Sequence, residues 1–353
     1  MIAIACLWVI ALMMSWLLSG AIRRYALANK IIDIPIERSS HNSPIPRGGG
    51  LAIVIVTLAG VVIYWLIYPN LLWKIFVVYI IGAVPISAVS WLDDLRSLPK
   101  RLRFVAHSVS AIFAICGFGY FQIVSIPILG QLDLGWIGLP ITFLWIVGLI
   151  NAYNFMDGID GIAGGQAVIA GLGWVWLGWF SGQPFVSILG VLITASSLGF
   201  LGHNWPPARI FMGDVGSAFL GYTFAVFPIM AGQNDSRLVL AGVLLVWPFI
   251  FDTVFTFLRR LRKGEDVFVA HRSHLYQRLV IAGYSHRFVS SLYMGLALIG
   301  ATLALTWFFK LPACALAIIF IIPSLCLALW VFVIRQEYRC NTRPQARLPK
   351  LRS

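Results

Sequence analysis

Residues 151–165 read NAYNFMDGIDGIAGG, and this stretch decides how the rest of the chain is read. Asn151, Asn154, Asp157 and Asp160 recur at every third position. On a helix such steps gather side chains on one face. Apolar runs flank the stretch, LPITFLWIVGLI before it and QAVIAGLGWVWLGWF after it. Two amides and two carboxylates beside segments fit for a bilayer mark a site. The plainer reading is a polar loop between two membrane helices, capped by Asn and Asp. It accounts for the glycines but not for four metal-capable side chains from 151 to 160.

Composition points the same way. Of 353 residues, 60% are hydrophobic and only 11% charged, with a mean hydropathy of +0.88. Soluble proteins average roughly 25% charged. The chain is therefore expected to be an all-α, polytopic integral membrane protein. Apolar segments place eleven spans near 2–21, 48–67, 74–92, 103–124, 138–153, 162–180, 185–201, 215–232, 238–258, 287–308 and 313–334. We read residues 1–334 as a single transmembrane domain. Residues 335–353, RQEYRCNTRPQARLPKLRS, read as a basic tail, disordered and attracted to anionic lipid.

The net charge of +13 would suit nucleic acid, but the charge is sorted by topology. With the loop bearing Arg23, Arg24, Lys30, Arg38 and Arg47 inside, 23 of the 26 Lys and Arg fall on the inner side, and Lys74, Arg237 and Lys310 fall outside. The positive-inside rule then puts the N-terminus out and the C-terminus in. It also removes nucleic acid as a partner. The first span lacks a basic run before it and carries an Arg pair after it, so it reads as a retained anchor. Of the 13 acidic residues, Asp133 and Asp235 fall outside and Asp252 within a span; the rest are inner, so the chemistry is expected to face the cytoplasm. The five cysteines show neither a metal-ligand spacing nor a disulfide framework.

Other inner stretches add candidates. Residues 33–50, DIPIERSSHNSPIPRGGG, offer Arg38, Ser39, Ser40, His41 and Arg47 to a phosphate, and Gly48–Gly50 let backbone amides approach an anion. The same loop also reads as an ordered connector whose Arg residues only set topology. The third span ends in WLDD, and the repulsion between Asp93 and Asp94 invites a divalent cation or a basic partner; Arg96, Lys100, Arg101 and Arg103 follow. Asp214 sits in a Gly-Asp-Val-Gly turn opening a span, where it reads as a helix cap or as a ligand with Asn204 and Arg209 near it. Gly213 and Gly216 would clear space around its carboxylate. Asp252 is expected to pair with a basic residue and hold the bundle, or to touch the site. Residues 259–279 carry His271, Arg272, His274 and Arg278, suited to a diphosphate and to an amphipathic surface piece. The outer segment 125–138 reads as a turn-rich loop against the membrane.

Carboxylates with Asn oxygens suit a hard cation, Mg²⁺ or Mn²⁺, and such an ion with Arg suits a diphosphate. A membrane-embedded site meeting the cytoplasm suits a lipid phosphate and a soluble nucleotide. Phosphoryl transfer between them is the economical reading. The chief alternative is a secondary transporter of an anionic solute. Transporters carry ionisable groups near the midplane and repeat symmetry, and here Asp252 alone lies well inside a span.

The sequence resembles the polyprenyl-phosphate N-acetylhexosamine-1-phosphate transferases, the superfamily of MraY and WecA. The resemblance runs from the SSHxxPxPRGGG loop through WLDD, NAYNFMDGIDG and FMGDVGS to HRSH. It implies ten or eleven helices in the bacterial inner membrane and a cytoplasmic Mg²⁺ site, with Mn²⁺ a substitute. It implies transfer of a sugar phosphate from a UDP-N-acetylhexosamine to undecaprenyl phosphate with release of UMP. By the same resemblance Asn154 and Asp214 are metal ligands, and Asp93 and Asp94 are a catalytic pair near the acceptor phosphate. Asp157, also catalytic, and Asp160 surround the nucleotide. Arg101 or Arg103 meets phosphate, and Arg272 and His274 meet the diphosphate. Arg47, Asn151 and Asn204 complete the substrate-binding set. Membrane lipid and a second copy in a homodimer are the remaining partners. One departure stands out: WecA-like members carry His-x-His-His where this chain has His274, Leu275, Tyr276 and Gln277. The pattern is nearer the O-antigen-initiating, WbpL-like branch, which implies GlcNAc or a 6-deoxy relative such as N-acetylfucosamine or N-acetylquinovosamine. The missing triple-His run argues against a MurNAc-pentapeptide donor. Direct attack by the lipid phosphate is expected over an aspartyl-phosphate route, because a phosphate monoester with its second pKa near ~6 is already largely a dianion.

Overall fold

The computed structural model describes residues 2–35, 43–69, 73–266 and 271–342. The expectations on Arg38, Ser39, Ser40 and His41, and on the tail from residue 343, lie outside the described residues. In chain order the elements are α1 (Ile2–Ala28), β1 (Ile32–Asp33), β2 (Ile45–Pro46), α2 (Leu51–Ile67), α3 (Trp73–Arg96) and α4 (Lys100–Phe118). There follow β3 (Ile123–Ile126), β4 (Gly130–Asp133), α5 (Gly138–Met156), α6 (Ile162–Phe180), α7 (Pro184–Asn204) and α8 (Asp214–Gly232). The chain continues through α9 (Arg237–Arg262), α10 (Leu275–Ile281), α11 (His286–Phe308) and α12 (Cys314–Thr342). Each of the eleven expected spans has its helix. Ten are long and apolar enough to cross a membrane, and α2, with 17 residues, is a shorter apolar helix. The protein is an all-α, polytopic membrane protein.

Burial runs from the centre outward. The apolar windows of α7 and α8 are 89% and 94% buried, those of α1 and α12 only 22% and 17%. A bilayer, rather than protein, is the natural cover for the exposed Leu, Ile and Trp of those outer helices. Helix α8 packs against α3, α5 and α9, so its N-terminus meets the C-terminal ends of α3 and α5 at one end of the bundle.

Three expectations change. The fourth span stops at Phe118, six residues early, where Gly119 turns the chain at φ +96°. The outer segment that follows is an antiparallel hairpin, Ile123 opposite Asp133, in place of a bare loop. Ser125 Oγ lies 2.7 Å from Ser236 Oγ and fastens this hairpin to the α8–α9 turn. At the other end, α12 continues past residue 334 to Thr342, and its Glu337 accepts two hydrogen bonds from Arg278 of α10.

Backbone approach places the loop before α8. A Cβ on Gly50 would fall 2.4 Å from the Gly216 Cα, and one on Gly216 would fall 2.6 Å from the Gly50 Cα. The N–H groups of Gly49 and Gly50 donate to the carbonyls of Phe211 (2.9 Å) and Met212 (2.8 Å). These amides, expected to face an anion, instead hold the segment leading into Asp214.

Candidate active site

The site is built around the start of α8. The first amides of a helix have no partner within it and carry its positive end. Here the partner is Asp94 of α3, 2% exposed: its Oδ1 accepts the N–H of Asp214 and its Oδ2 the N–H of Val215, both at 3.0 Å. Gly213, at φ +77°, makes room for it, since a Cβ there would lie 2.6 Å from Asp94 Oδ2. The two glycines expected to clear space around Asp214 thus serve Asp94 and Gly50. Nor is the Asp214 carboxylate the cap; it faces Arg103.

Arg103 joins two carboxylates. Its Nη1 donates to Asp93 Oδ2 at 2.9 Å and to Asp214 Oδ2 at 3.0 Å. The other oxygen of Asp93 accepts the N–H of Leu98 and closes the turn after α3. On α4, Lys100, Arg103, Phe104 and His107 share one face and line the cavity described below, whereas Arg101 is exposed on another face. Between the two arginines left open by the sequence, Arg103 is the one in the site.

The end of α5 departs from the expected single helical face. Asn151 and Asn154 are helical, but the helix stops at Met156, and Asp157 and Asp160 come from the turn beyond it. The Nδ2 of Asn154 donates to Ser217 Oγ at 3.1 Å, and that of Asn151 to the Val147 carbonyl at 2.7 Å. Among the described residues no side-chain hydrogen bond holds the Asp157 carboxylate. Burial pushes its pKa well above the ordinary carboxylate value, and Asp214, Asp94 and Asp160 push it further. Asp160 Oδ2 accepts the Ala208 N–H at 3.0 Å, whereas its buried Oδ1, 3.2 Å from His286 Nδ1, has no hydrogen-bond partner among the described residues. Asn204 accepts from the Gly161 N–H and donates to the Ile210 carbonyl, both at 2.9 Å. Both shape the wall, Asn204 with its amide committed to the protein and Asp160 with Oδ2 alone so committed.

Asp252 finds no Lys or Arg partner among the described residues. Fully buried in α9, it accepts from Thr256 Oγ1 (3.2 Å), the Leu275 N–H (2.8 Å), the Tyr276 N–H (3.1 Å) and Tyr293 Oη (2.5 Å), and it faces His274 Nδ1 (3.2 Å). It therefore caps α10 from a neighbouring helix. The His271 pKa is lowered to about 4 by burial first, then by His274, Arg260 and Arg259, so the ring stays neutral above that pH.

These groups enclose a cavity of about 1100 Å³. Most of the expected site residues line it; Asp93, Arg101, Arg209, Arg272 and Arg278 do not. Lys100 and His271, named from the sequence among its basic stretches, are in the wall, and two imidazoles there were not singled out from the sequence: His107 and His286. For His107 the signal was its place four residues after Arg103, one turn along the same face. The cavity has a polar end and an apolar flank made by Phe104, Leu144, Trp145, Ile250, Val254 and Phe257 of α4, α5 and α9. Phe104, Leu144, Val254 and Phe257 stay exposed, so the flank opens sideways from the bundle.

The residues present suit the hard cation that the resemblance implies. Among the described residues no three His, Cys, Asp or Glu side chains form a closed metal cage. Mg²⁺ does not need one: it keeps several waters and takes one or two carboxylates beside substrate phosphates. Asp157, whose carboxylate has no side-chain hydrogen bond among the described residues, lies near Asp214 and Asp94 and leaves its oxygens for such an ion, whose charge would offset the repulsion among these groups.

Fold and cavity define a polytopic membrane protein with a cavity lined by carboxylate, basic and imidazole side chains at one end of its helix bundle. Residues 75–232 match glycosyl transferase family 4. The chain is 33% identical over 290 residues to a probable undecaprenyl-phosphate N-acetylglucosaminyl 1-phosphate transferase of Bacillus subtilis, covering 81% of this chain and 80% of the relative. It is 31% identical over 324 residues to a decaprenyl-phosphate N-acetylglucosaminephosphotransferase of Mycobacterium leprae, covering 80% and 79%. A phospho-N-acetylmuramoyl-pentapeptide-transferase of Chlamydia muridarum is 31% identical over 263 residues, covering 66% and 75%. The chain belongs to glycosyl transferase family 4.

Proposed function

We propose that the protein transfers an N-acetylhexosamine 1-phosphate from a UDP-sugar to undecaprenyl phosphate at the cytoplasmic face of the bacterial inner membrane. A phosphate oxygen of the acceptor attacks the β-phosphorus of the donor. The bond from that phosphorus to the bridging oxygen breaks, UMP leaves, and a polyprenyl diphosphate sugar remains. The observation that carries this reading is the single cavity with two characters, a carboxylate- and Arg-lined end continuous with an exposed apolar flank. A water-borne sugar nucleotide fits the first and a prenyl chain the second. The relatives' names supply the chemistry that such a cavity suits.

Asp157, Asp214 and Asn154 would hold Mg²⁺, which when bound neutralises charge on the diphosphate. Arg103 and Lys100 offset the charge of two approaching anions, and Arg47, in the same wall near Asp94, adds to this. Direct attack suits the geometry. Asp94 has both oxygens on backbone amides, and Asp93 has its pair on Leu98 and Arg103, so neither is poised as a nucleophile. Tyr276 and Gln277 stand in the cavity wall where WecA-like chains carry histidines, which favours the O-antigen-initiating branch and GlcNAc or a 6-deoxy relative as the sugar. A transporter would need its ionisable groups near the midplane, whereas these gather at one end. The test is UMP release by purified protein from a panel of UDP-N-acetylhexosamines with undecaprenyl phosphate. Release with UDP-GlcNAc or a 6-deoxy donor supports the reading. No release from any donor, with or without added Mg²⁺, overturns it.

A further inference from the structure

Asp252 is a carboxylate buried in a membrane helix, and its five neighbours are unevenly placed. Three of them, His274 Nδ1 and the N–H groups of Leu275 and Tyr276, come from consecutive residues of one loop. A residue that only joined α9 to α11 would need Tyr293 alone. A residue that only capped α10 would need the two amides alone. Thr256, one turn along the same helix, adds a local bond, and the contact left over is the one to the His274 ring.

We infer that Asp252 is a positioning residue for the transfer reaction, holding His274 with Nδ1–H toward α9 so that Nε2 is the ring nitrogen offered to the substrate diphosphate. The inference rests on the proposed function. A carboxylate accepts only, so the nitrogen facing it carries the proton, and the ring's identity at its other nitrogen is set by that bond. His274 lines the cavity, and with Nδ1 committed, Nε2 remains for a ligand. The backbone is fixed by the same carboxylate: α10 begins at Leu275, and its first two amides end on Asp252. The ring packs at 6.1 Å from Phe155 of α5 and 5.8 Å from Tyr276, so it has little room to turn. Tyr276 in turn donates to the Phe155 carbonyl at 2.9 Å, which ties the loop to the end of α5 beside Asp157. Asp252 thus reaches the site through one side chain and one helix start, without touching it.

The test is a double-mutant cycle on the full chain in detergent, read as UMP release from UDP-GlcNAc with undecaprenyl phosphate. His274→Gln and Asp252→Asn should each lower kcat/KM for the donor by roughly 10-fold or more, the size of one hydrogen bond to a charged group. The double variant should be within about 3-fold of His274→Gln alone, because Asp252 acts through that ring. Falls that multiply, or an Asp252→Asn loss with His274→Gln unaffected, would show a cap and nothing more. A second measurement needs no substitution at Asp252. In ¹⁵N-histidine-labelled protein, with His274→Gln used to assign the signal, Nδ1 of His274 should be protonated. A bare Nδ1 overturns the inference even if Asp252→Asn cannot be recovered folded. Absence of UMP release by the unaltered protein would be a failure of the proposed function instead, and the ¹⁵N result would still stand on its own.

Discussion

Asp94 Oδ1 accepts the backbone N–H of Asp214 at 3.0 Å, so the acidic pair that ends α3 caps the helix that Asp214 begins. The two residues are 120 positions apart and do different work. Asp94→Ala removes both cap bonds and should destabilise the protein by about 2 kcal/mol, the upper range for a lost cap. Thermal unfolding in detergent measures this, and an unchanged midpoint would count against the capping role.

Asp157 should behave in the opposite way. Its folded-state pKa is raised, by burial first and then by neighbouring carboxylates. A raised acid binds more protons folded than unfolded, so stability falls as pH rises from the ordinary carboxylate value through the folded one. Ionising this group is thus a net cost to the fold. Asp157→Asn should therefore raise the unfolding midpoint at pH 7 while nearly abolishing UMP release. A stable, fully active variant would remove Asp157 from the site.

Arg103 neutralises Asp93 and Asp214 together. Arg103→Gln leaves those charges unopposed, which should tighten cation binding as it slows turnover. The expected signature is a lower half-saturating Mg²⁺ concentration with a lower kcat. A higher Mg²⁺ requirement would contradict this electrostatic role.

His271 gives a pH dependence of known sign. Its pKa drops from the ordinary His value to about 4, because burial and the nearby His274, Arg260 and Arg259 disfavour the charged ring. Between that pH and the unfolded value near ~6.5 the unfolded chain binds the extra proton. Its contribution to stability is thus complete above about 6.5 and is lost as pH falls toward 4. The ring's NMR signal should not titrate between pH 5.5 and 8. A midpoint inside that window would disprove the assignment.

Orientation has its own check. In a cysteine-free background, a cysteine at Ser97, exposed after α3, should resist an impermeant thiol reagent added to intact cells, and one at Gln131 in the hairpin should react. The reverse pattern would put the cavity on the other side of the membrane.

The helices were legible because a bilayer demands long apolar runs, and eleven such runs are eleven helices. The hairpin of Ile123–Asp133 was not: its strands are four residues each, and β4, with Gly130, Gln131 and Asp133, is poor in strand-forming side chains. At the site, residue types revealed which groups are polar, and only packing reveals what each one faces. Asp94 and Asn204 look like ligands in sequence, yet their acceptors or donors meet backbone amides and carbonyls. The choice of Arg103 over Arg101 was within reach of periodicity, since positions 100, 103, 104 and 107 fall on one helical face. The link from Asp252 to His274 spans 22 residues across a turn, and no local pattern announces it.

The apolar flank between α4, α5 and α9 opens sideways, and this changes what concentration means for the acceptor. A prenyl phosphate arriving through that opening diffuses in two dimensions, and its encounter rate scales with its number per unit of membrane area. In mixed micelles the rate should accordingly follow the acceptor's mole fraction in detergent. Diluting a fixed amount of acceptor with more detergent should slow turnover as a competitor would, even when the amount per millilitre is unchanged.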